Sequence, residues 1–171
     1  MTMFESIRDF ITGEEIDNVG SEASRQIFEK FLVEAKGFRK QDIRVDTPLI
    51  VQFKGEDYVS SIDLIVCCND QPFMAITCVA GSIGSYEREI LAAARLAYEV
   101  QIPFAVSTDG RNAIVMDTLS GKTIGQGLDA VPSRNEAQRR MVSIEKTIYA
   151  PEKREREMII YRSFNMEKIN R

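Results

Sequence analysis

Histidine is absent from the 171 residues, and so is tryptophan. Without histidine, Ser-His-Asp and Cys-His catalysis are excluded, as are histidine metal sites. Cysteine is scarce: Cys67, Cys68 and Cys78 are an odd number in strand-like surroundings and do not make a structural zinc site. They are expected to be buried thiols in a reducing cytoplasm. Cys67 and Cys68 fall on opposite faces of one strand, so at most one of them can meet Cys78. No apolar run is long enough to span a bilayer, so no membrane partner is expected. The start, MTMFESIRDF, lacks the apolar stretch of a cleavable leader. Hydrolytic chemistry is left to carboxylates, lysine and an oxygen-bound divalent cation.

What is there is the composition of one globular domain, 44% hydrophobic and 28% charged, with a net charge of −4. The charge is uneven. Residues 1–133 hold 12 Lys/Arg against 20 Asp/Glu, while residues 134–171 hold 10 against 6. An acidic body does not suit sequence-independent DNA binding, which depends on neutralising phosphates. The basic end could supply it, through Arg134, Arg139 and Arg140, or it is a solvated helix face with paired charges.

MFESIRDFI reads as a short amphipathic start ended by Gly13. The strongest helix signal is SEASRQIFEKFLVEAKGF, with Ser21 as its cap, Ile27, Phe28, Phe31, Leu32 and Ala35 as its stripe, and Gly37 at its end. DIRVDTPLIVQF alternates at Ile43, Val45 and Thr47 and again at Leu49, Val51 and Phe53. Pro48 marks it as an edge strand or a bend. GEDY and NDQP are turns on either side of the strand VSSIDLIVCC, and FMAITCV is a third strand. SYEREILAAARLAYEV is an alanine-rich helix, IPFAVST a buried strand, and NAIVMDTL its hairpin partner after Asp109-Gly110. SGKTIG adds a turn and a short strand. Residues from Arg134 are helical, broken near Ala150-Pro151, with Met158, Ile159, Tyr161 and Arg162 on or near a docking face. The crossover from FMAITCV to IPFAVST should be parallel. The expectation is an α/β domain with a mixed sheet flanked by helices. It is a single domain over 1–171, with a core at about 20–133 and a helical C-terminal extension at 134–171.

Three stretches are candidates for chemistry. AITCVAGSIGSYEREI places a Gly/Ser loop before a helix, but Gly81-Ser82-Ile83-Gly84-Ser85 fits neither the dinucleotide nor the P-loop spacing. A plain strand-to-helix connection capped by Ser85 is the better reading. The cysteines have no nearby positive charge to activate them. Asp63 stands inside the apolar run Ile62–Cys67, where a carboxylate needs a partner: backbone donors or a lysine.

Several pieces resemble one family. They are Glu22-Ala-Ser-Arg25-Gln26 opening the first long helix, Gly37-Phe38 at its end, Ser61-Ile62-Asp63-Leu64-Ile65-Val66, the hairpin from Pro72 to Ile76, and Ile102-Pro103-Phe104-Ala105-Val106-Ser107-Thr108-Asp109-Gly110. Together they resemble the N-terminal domain of type I restriction enzyme R subunits, of the PD-(D/E)XK nuclease-like superfamily, over about two-thirds of the chain. The resemblance implies a restriction-endonuclease-like sheet. In cleaving members it implies a Glu-x-Lys at the end of the hairpin's second strand, which works with the preceding Asp on a divalent cation. Here that triplet is Thr77-Cys78-Val79, with Thr77 in the place of Glu and Val79 in the place of Lys. The family's Gln and Tyr on the next helix have no clear match. Of the family's site, Glu22 and Asp63 remain, Asp63 being the one candidate metal ligand. An odd-length NDQP turn would set Asp63 opposite Thr77, and an even one opposite Cys78. A lysine could also migrate in from a helix, from Lys30 or Lys36.

The sequence therefore implies a restriction-endonuclease-like domain with a degenerate site, without cofactor, binding DNA or another restriction or DNA-processing protein. Two alternatives stand beside it. One is an Mg2+-dependent DNA nuclease with a rearranged site. The other is a structural or assembly protein, such as a homodimer through the C-terminal helices.

Overall fold

The structure, a computed structural model, describes residues 4–169 of the chain. Met3, the first residue of the expected amphipathic start, lies outside that range. The rest of it supplies β1 (Ser6–Arg8), which forms a two-stranded hairpin with β2 (Glu15–Asp17) beyond Gly13. Asp9 fixes this hairpin: its carboxylate accepts from the N–H groups of Ile11 and Thr12, at 2.9 and 2.8 Å, and from Gln26 Nε2 at 2.9 Å.

Helix α1 (Glu22–Glu34) follows. The Ser21 hydroxyl makes no capping bond, contrary to expectation, and the first turn is instead tied by ion pairs of Glu22 and Arg25. Its buried residues include Phe28 and Leu32, as the stripe requires, while Ile27 stays 43% exposed. Gly37, at φ +78°, lets Phe38 N–H reach the Leu32 carbonyl.

A six-stranded sheet comes next, in the order β3-β4-β5-β6-β7-β8. Its members are β3 (Ile43–Phe53), β4 (Glu56–Cys68), β5 (Gln71–Cys78), β6 (Phe104–Thr108), β7 (Ala113–Asp117) and β8 (Thr123–Gln126). Neighbours are antiparallel except β5 and β6, which run parallel because helix α2 (Glu87–Leu96) carries the chain between them. The sheet is therefore mixed, and β3, with Pro48, is an edge strand as expected. The first turn is Lys54-Gly55 rather than GEDY, and the second is Asn69-Asp70. All four of these residues have positive φ, the conformation that suits two-residue hairpins.

Helix α3 (Arg134–Ser143) and α1 cover one face, through Phe28, Leu32 and Ala137. Helix α2 and helix α4 (Pro151–Ile169) cover the other, through Ile90, Leu96 and Tyr161. Met158 and Tyr161 of α4 pack inward as expected, whereas Ile159 is 42% exposed. Cys67 packs with the α2–α4 face, and Cys68 and Cys78 with the α1–α3 face. All three thiols are buried and free, with their pKa values raised by burial.

One irregularity shapes the site. Val45 and Leu64 pack on the α1–α3 face, but Leu49, Val51 and Ile62 pack on the other. The ladder between β3 and β4 pairs Val45 with Leu64 and Thr47 with Ile62, and skips Asp46 and Asp63 between them. Asp46 has φ +51°. This left-handed residue turns the facing of the hairpin over at the level of Asp63, although the apolar alternation in the sequence never breaks.

Candidate functional site

Asp63 sits where β4 and β5 part. The last pair between them is Leu64 with Ile76, and the same register carries Asp63 across from Thr77. The turn between the strands is two residues, an even number, yet a bulge near Cys67 leaves Phe73 unpaired and restores the alignment. Turn parity alone could not have given this result, because a bulge adds one residue to one strand. Beyond the split, Asp63 Oδ2 accepts from Cys78 N–H at 2.7 Å.

Two residues the sequence reading did not single out complete the cluster. Lys168, near the end of α4, places Nζ 2.5 Å from Thr77 Oγ1, 3.3 Å from Asp63 Oδ2 and 3.6 Å from Glu89 Oε1. Glu89, in the first turn of α2, lies below them at 4% side-chain exposure. Its Oε2 accepts from Asn165 Nδ2 at 3.3 Å, and Asn165 Oδ1 accepts from Tyr58 Oη at 2.6 Å. A continuous polar network thus runs from Tyr58 on β4, through α4 and α2, to the backbone of β5.

Burial raises the Glu89 pKa, and Lys168 opposes that rise with its charge. For Lys168 burial acts to lower the pKa, but Asp63 and Glu89 outweigh it and hold the ammonium above its ordinary value. The site therefore keeps a protonated lysine between two carboxyl groups.

Both newcomers left a trace in the sequence. Glu89 occupies the same helical stripe as Ala92, Ala93 and Leu96, all buried, so a carboxylate there demands a partner. Glu157, Tyr161, Asn165 and Lys168 recur at helical spacing on α4, and the first three are buried. The sequence could show this polar stripe but not what it faces. Neither Lys30 nor Lys36 takes the migrated-lysine role, since these lie over the rings of Phe10 and Phe31.

Glu22 is held by Arg25 Nη2 at 2.7 Å, and Arg25 also reaches Asp46 at 2.8 Å and Asp9 at 3.4 Å. Burial raises the pKa of Glu22, and among neighbouring charges Asp63 contributes in the same direction. Thr77 and Val79 are both buried, and Val79 N–H donates to the Thr108 carbonyl. Arg134 pairs with Asp42 at 3.6 Å and Arg140 lies over the Phe104 ring, while Arg139 is exposed. The Gly/Ser loop runs through a 3-10 turn, Ile83–Tyr86, and α2 starts after Tyr86 with no side-chain cap, so Ser85 does not cap it.

A cleft of about 740 Å³ opens over the cluster. Asp63, Lys168 and Asn165 lie along one part of it, and Ser21, Ser60 and Ser82 along others. A divalent ion of the kind nucleases use wants several oxygen ligands, two or more of them carboxylates. Among the described residues no group of three or more His, Cys, Asp or Glu is set to hold a metal. The two carboxylates that do converge are paired with the Lys168 ammonium, and Asp63 Oδ2 also serves the β5 backbone. This donor set does not fit a resident divalent cation.

The family model described as Type I restriction enzyme R protein N terminus (HSDR_N) matches residues 20–132. The chain belongs to this type I restriction enzyme R N-terminal family. Among solved structures, this R N-terminal domain is similar to a fragment assigned as the HsdR subunit of a type I restriction enzyme from Vibrio vulnificus YJ016. The TM-score is 0.56, with 16% identity over 73% of this chain and 26% of that one. At that identity the likeness speaks for the fold. The chain thus spans about a quarter of that protein. No curated protein matches the sequence. The matched region of this R N-terminal family domain includes Asp63, Thr77 and Glu89 and ends well before α4, so Lys168 comes from outside it. Among the described residues no helix is long and apolar enough to cross a membrane.

Proposed function

We propose that this restriction-enzyme-related domain is a non-cleaving module that docks on DNA, keeping the nuclease scaffold and cleft without a resident metal ion. The observation that carries the reading is the Lys168 ammonium between Asp63 and Glu89, with Thr77 and Val79 in place of the expected Glu and Lys. Catalysis by a domain of this type asks for a cation that polarises phosphate and lowers the pKa of water. A protonated lysine already paired with two carboxylates does not take the place of that cation. Of the three arginines considered for phosphate contact, Arg139 is the exposed one.

The test has two arms. Single- and double-stranded DNA incubated with Mg2+ or Mn2+ should show no cleavage above blank. Duplex DNA at low salt should bind, as read by fluorescence anisotropy, and weaken as salt rises, with Arg139→Ala weaker throughout. Absence of binding at low salt would end the DNA reading. It would favour a restriction or DNA-processing protein as partner, or a homodimer, whose mass light scattering reads directly.

A second reading, an Mg2+-dependent nuclease with a rearranged site, is favoured by one observation. Asp63, Glu89 and Lys168 assemble two carboxylates and one lysine, the charge set that the family distributes over a single hairpin. It requires Lys168 to leave both carboxylates when a cation enters. Cleavage abolished by Asp63→Asn would establish it.

A further inference from the structure

We propose that Lys168 is the resident cation of this cleft, delivered by the C-terminal helix to hold Asp63 and Glu89 together and to keep divalent metal out. The inference deepens the non-cleaving reading and rests on it.

Three features carry it. First, the ammonium lies within 3.6 Å of a carboxylate oxygen from each of two elements, β4 and α2, and 2.5 Å from the Thr77 hydroxyl on β5. Three different segments thus converge on one positive charge. Second, α4 is locked in position upstream of that charge. Glu157 binds Arg88 and Arg95, Tyr161 Oη shares a hydrogen bond with Ser60 Oγ at 2.7 Å, and Asn165 bridges Glu89 and Tyr58. The lysine therefore arrives on a fixed helix rather than on a loose tail. Third, the Lys168 side chain is 19% exposed and Asp63 20%, both along the open cleft, while Glu89 is enclosed below. An ion from solvent would meet the ammonium at its point of entry and be repelled there at short range, where solvent screens poorly.

Removal of the ammonium leaves two converging carboxylates with no cation between them. Such a pair is the start of a hard-ion site, with the Thr77 hydroxyl and water able to complete the oxygen shell. Exclusion of a divalent ion from the cleft is then the work of one side chain.

The experiment uses the full chain and Mn2+ alone as the probe, read by titration calorimetry and by the shift in melting temperature. Wild type should show no saturable Mn2+ binding at millimolar concentration. Lys168→Met should bind about one Mn2+ per chain, at least about tenfold tighter than wild type, and Mn2+ should raise its melting temperature. Lys168→Arg retains the charge and should stay metal-free. Adding Glu89→Gln to Lys168→Met should remove the binding. Should Lys168→Met fail to fold by circular dichroism, Lys168→Gln carries the same comparison. Wild type binding Mn2+ as tightly as Lys168→Met would overturn the proposal, as would a folded Lys168→Met that binds none. A chain that binds no DNA yet gains Mn2+ on losing Lys168 would sink the docking reading and leave this one standing.

Discussion

Glu29 shows how much a single residue can carry outside the cleft. It is fully buried on α1, beside Asp9, Glu22 and Arg25, and its carboxyl oxygens have no hydrogen-bond donor. Burial, reinforced by the Asp9 charge, pushes its pKa from 4.5 up to about 8. A carboxyl that titrates higher in the folded chain makes folding take up a proton. Its contribution is full below pH 4.5 and is lost as pH rises through about 8. Glu29→Gln, neutral at every pH and able to donate to Asp9, should flatten that loss. Urea midpoints should therefore fall more steeply in wild type than in the variant between about pH 5 and 9. Parallel profiles would show that Glu29 titrates normally. The sequence announced a glutamate near the Phe28 and Leu32 stripe, but not that Asp9 would fold over it from the hairpin.

At the scale of elements, the attachment of α4 to α2 is electrostatic as well as apolar. Glu157, with its side chain 4% exposed, receives Arg88 at 2.5 and 2.8 Å, Arg95 at 3.1 Å and Tyr149 Oη at 3.1 Å. Although burial alone would raise its pKa, the bonds to Arg88 hold it below the usual value. Glu157→Ala leaves two guanidinium groups facing each other without their anion, at an expected cost of about 2–3 kcal/mol in chemical unfolding. A change under about 0.5 kcal/mol would mark the cluster as solvent-screened. Helix α4 was legible as a helix broken from α3 near Pro151, because proline and charge spacing are local signals. The facing switch at Asp46 was not legible. Alternation runs unbroken through Ile43, Val45, Thr47, Leu49 and Val51, and the left-handed φ that reverses it belongs to a non-glycine residue.

At the scale of the whole molecule, the C-terminal helices close the fold. Tyr161 is 1% exposed within the cluster formed by α2, β3, β4 and α4, and its hydroxyl meets Ser60. Truncating it opens a cavity over the sheet and leaves the Ser60 hydroxyl only its bond to the Leu49 carbonyl, so Tyr161→Ala should destabilise the whole chain by about 3–5 kcal/mol, in a single transition. A small early transition, with the sheet melting later at its original midpoint, would instead mark α4 as a separable unit. The α/β class and the mixed sheet were legible because each strand, turn and helix carries its own period, and a strand–helix–strand crossover can hardly be anything but parallel. The hairpin β1–β2 was missed because two three-residue strands carry too short a period to register.

The sequence by itself determined the list of possible chemistries and the order of the elements from α1 onward. It left out histidine, and it placed Asp63 in an apolar strand that obliged it to find a partner. These are statements about residue types and near neighbours, and local physics is enough to make them. Only the tertiary structure decided who the partner is. Lys168 lies 105 positions from Asp63 and 91 from Thr77 in the chain, and Glu89 comes from a fourth element. Their meeting depends on how α2 and α4 pack over the place where β4 and β5 part. No pattern along the chain encodes that convergence, because it is set by the summed packing of the two helices on the sheet.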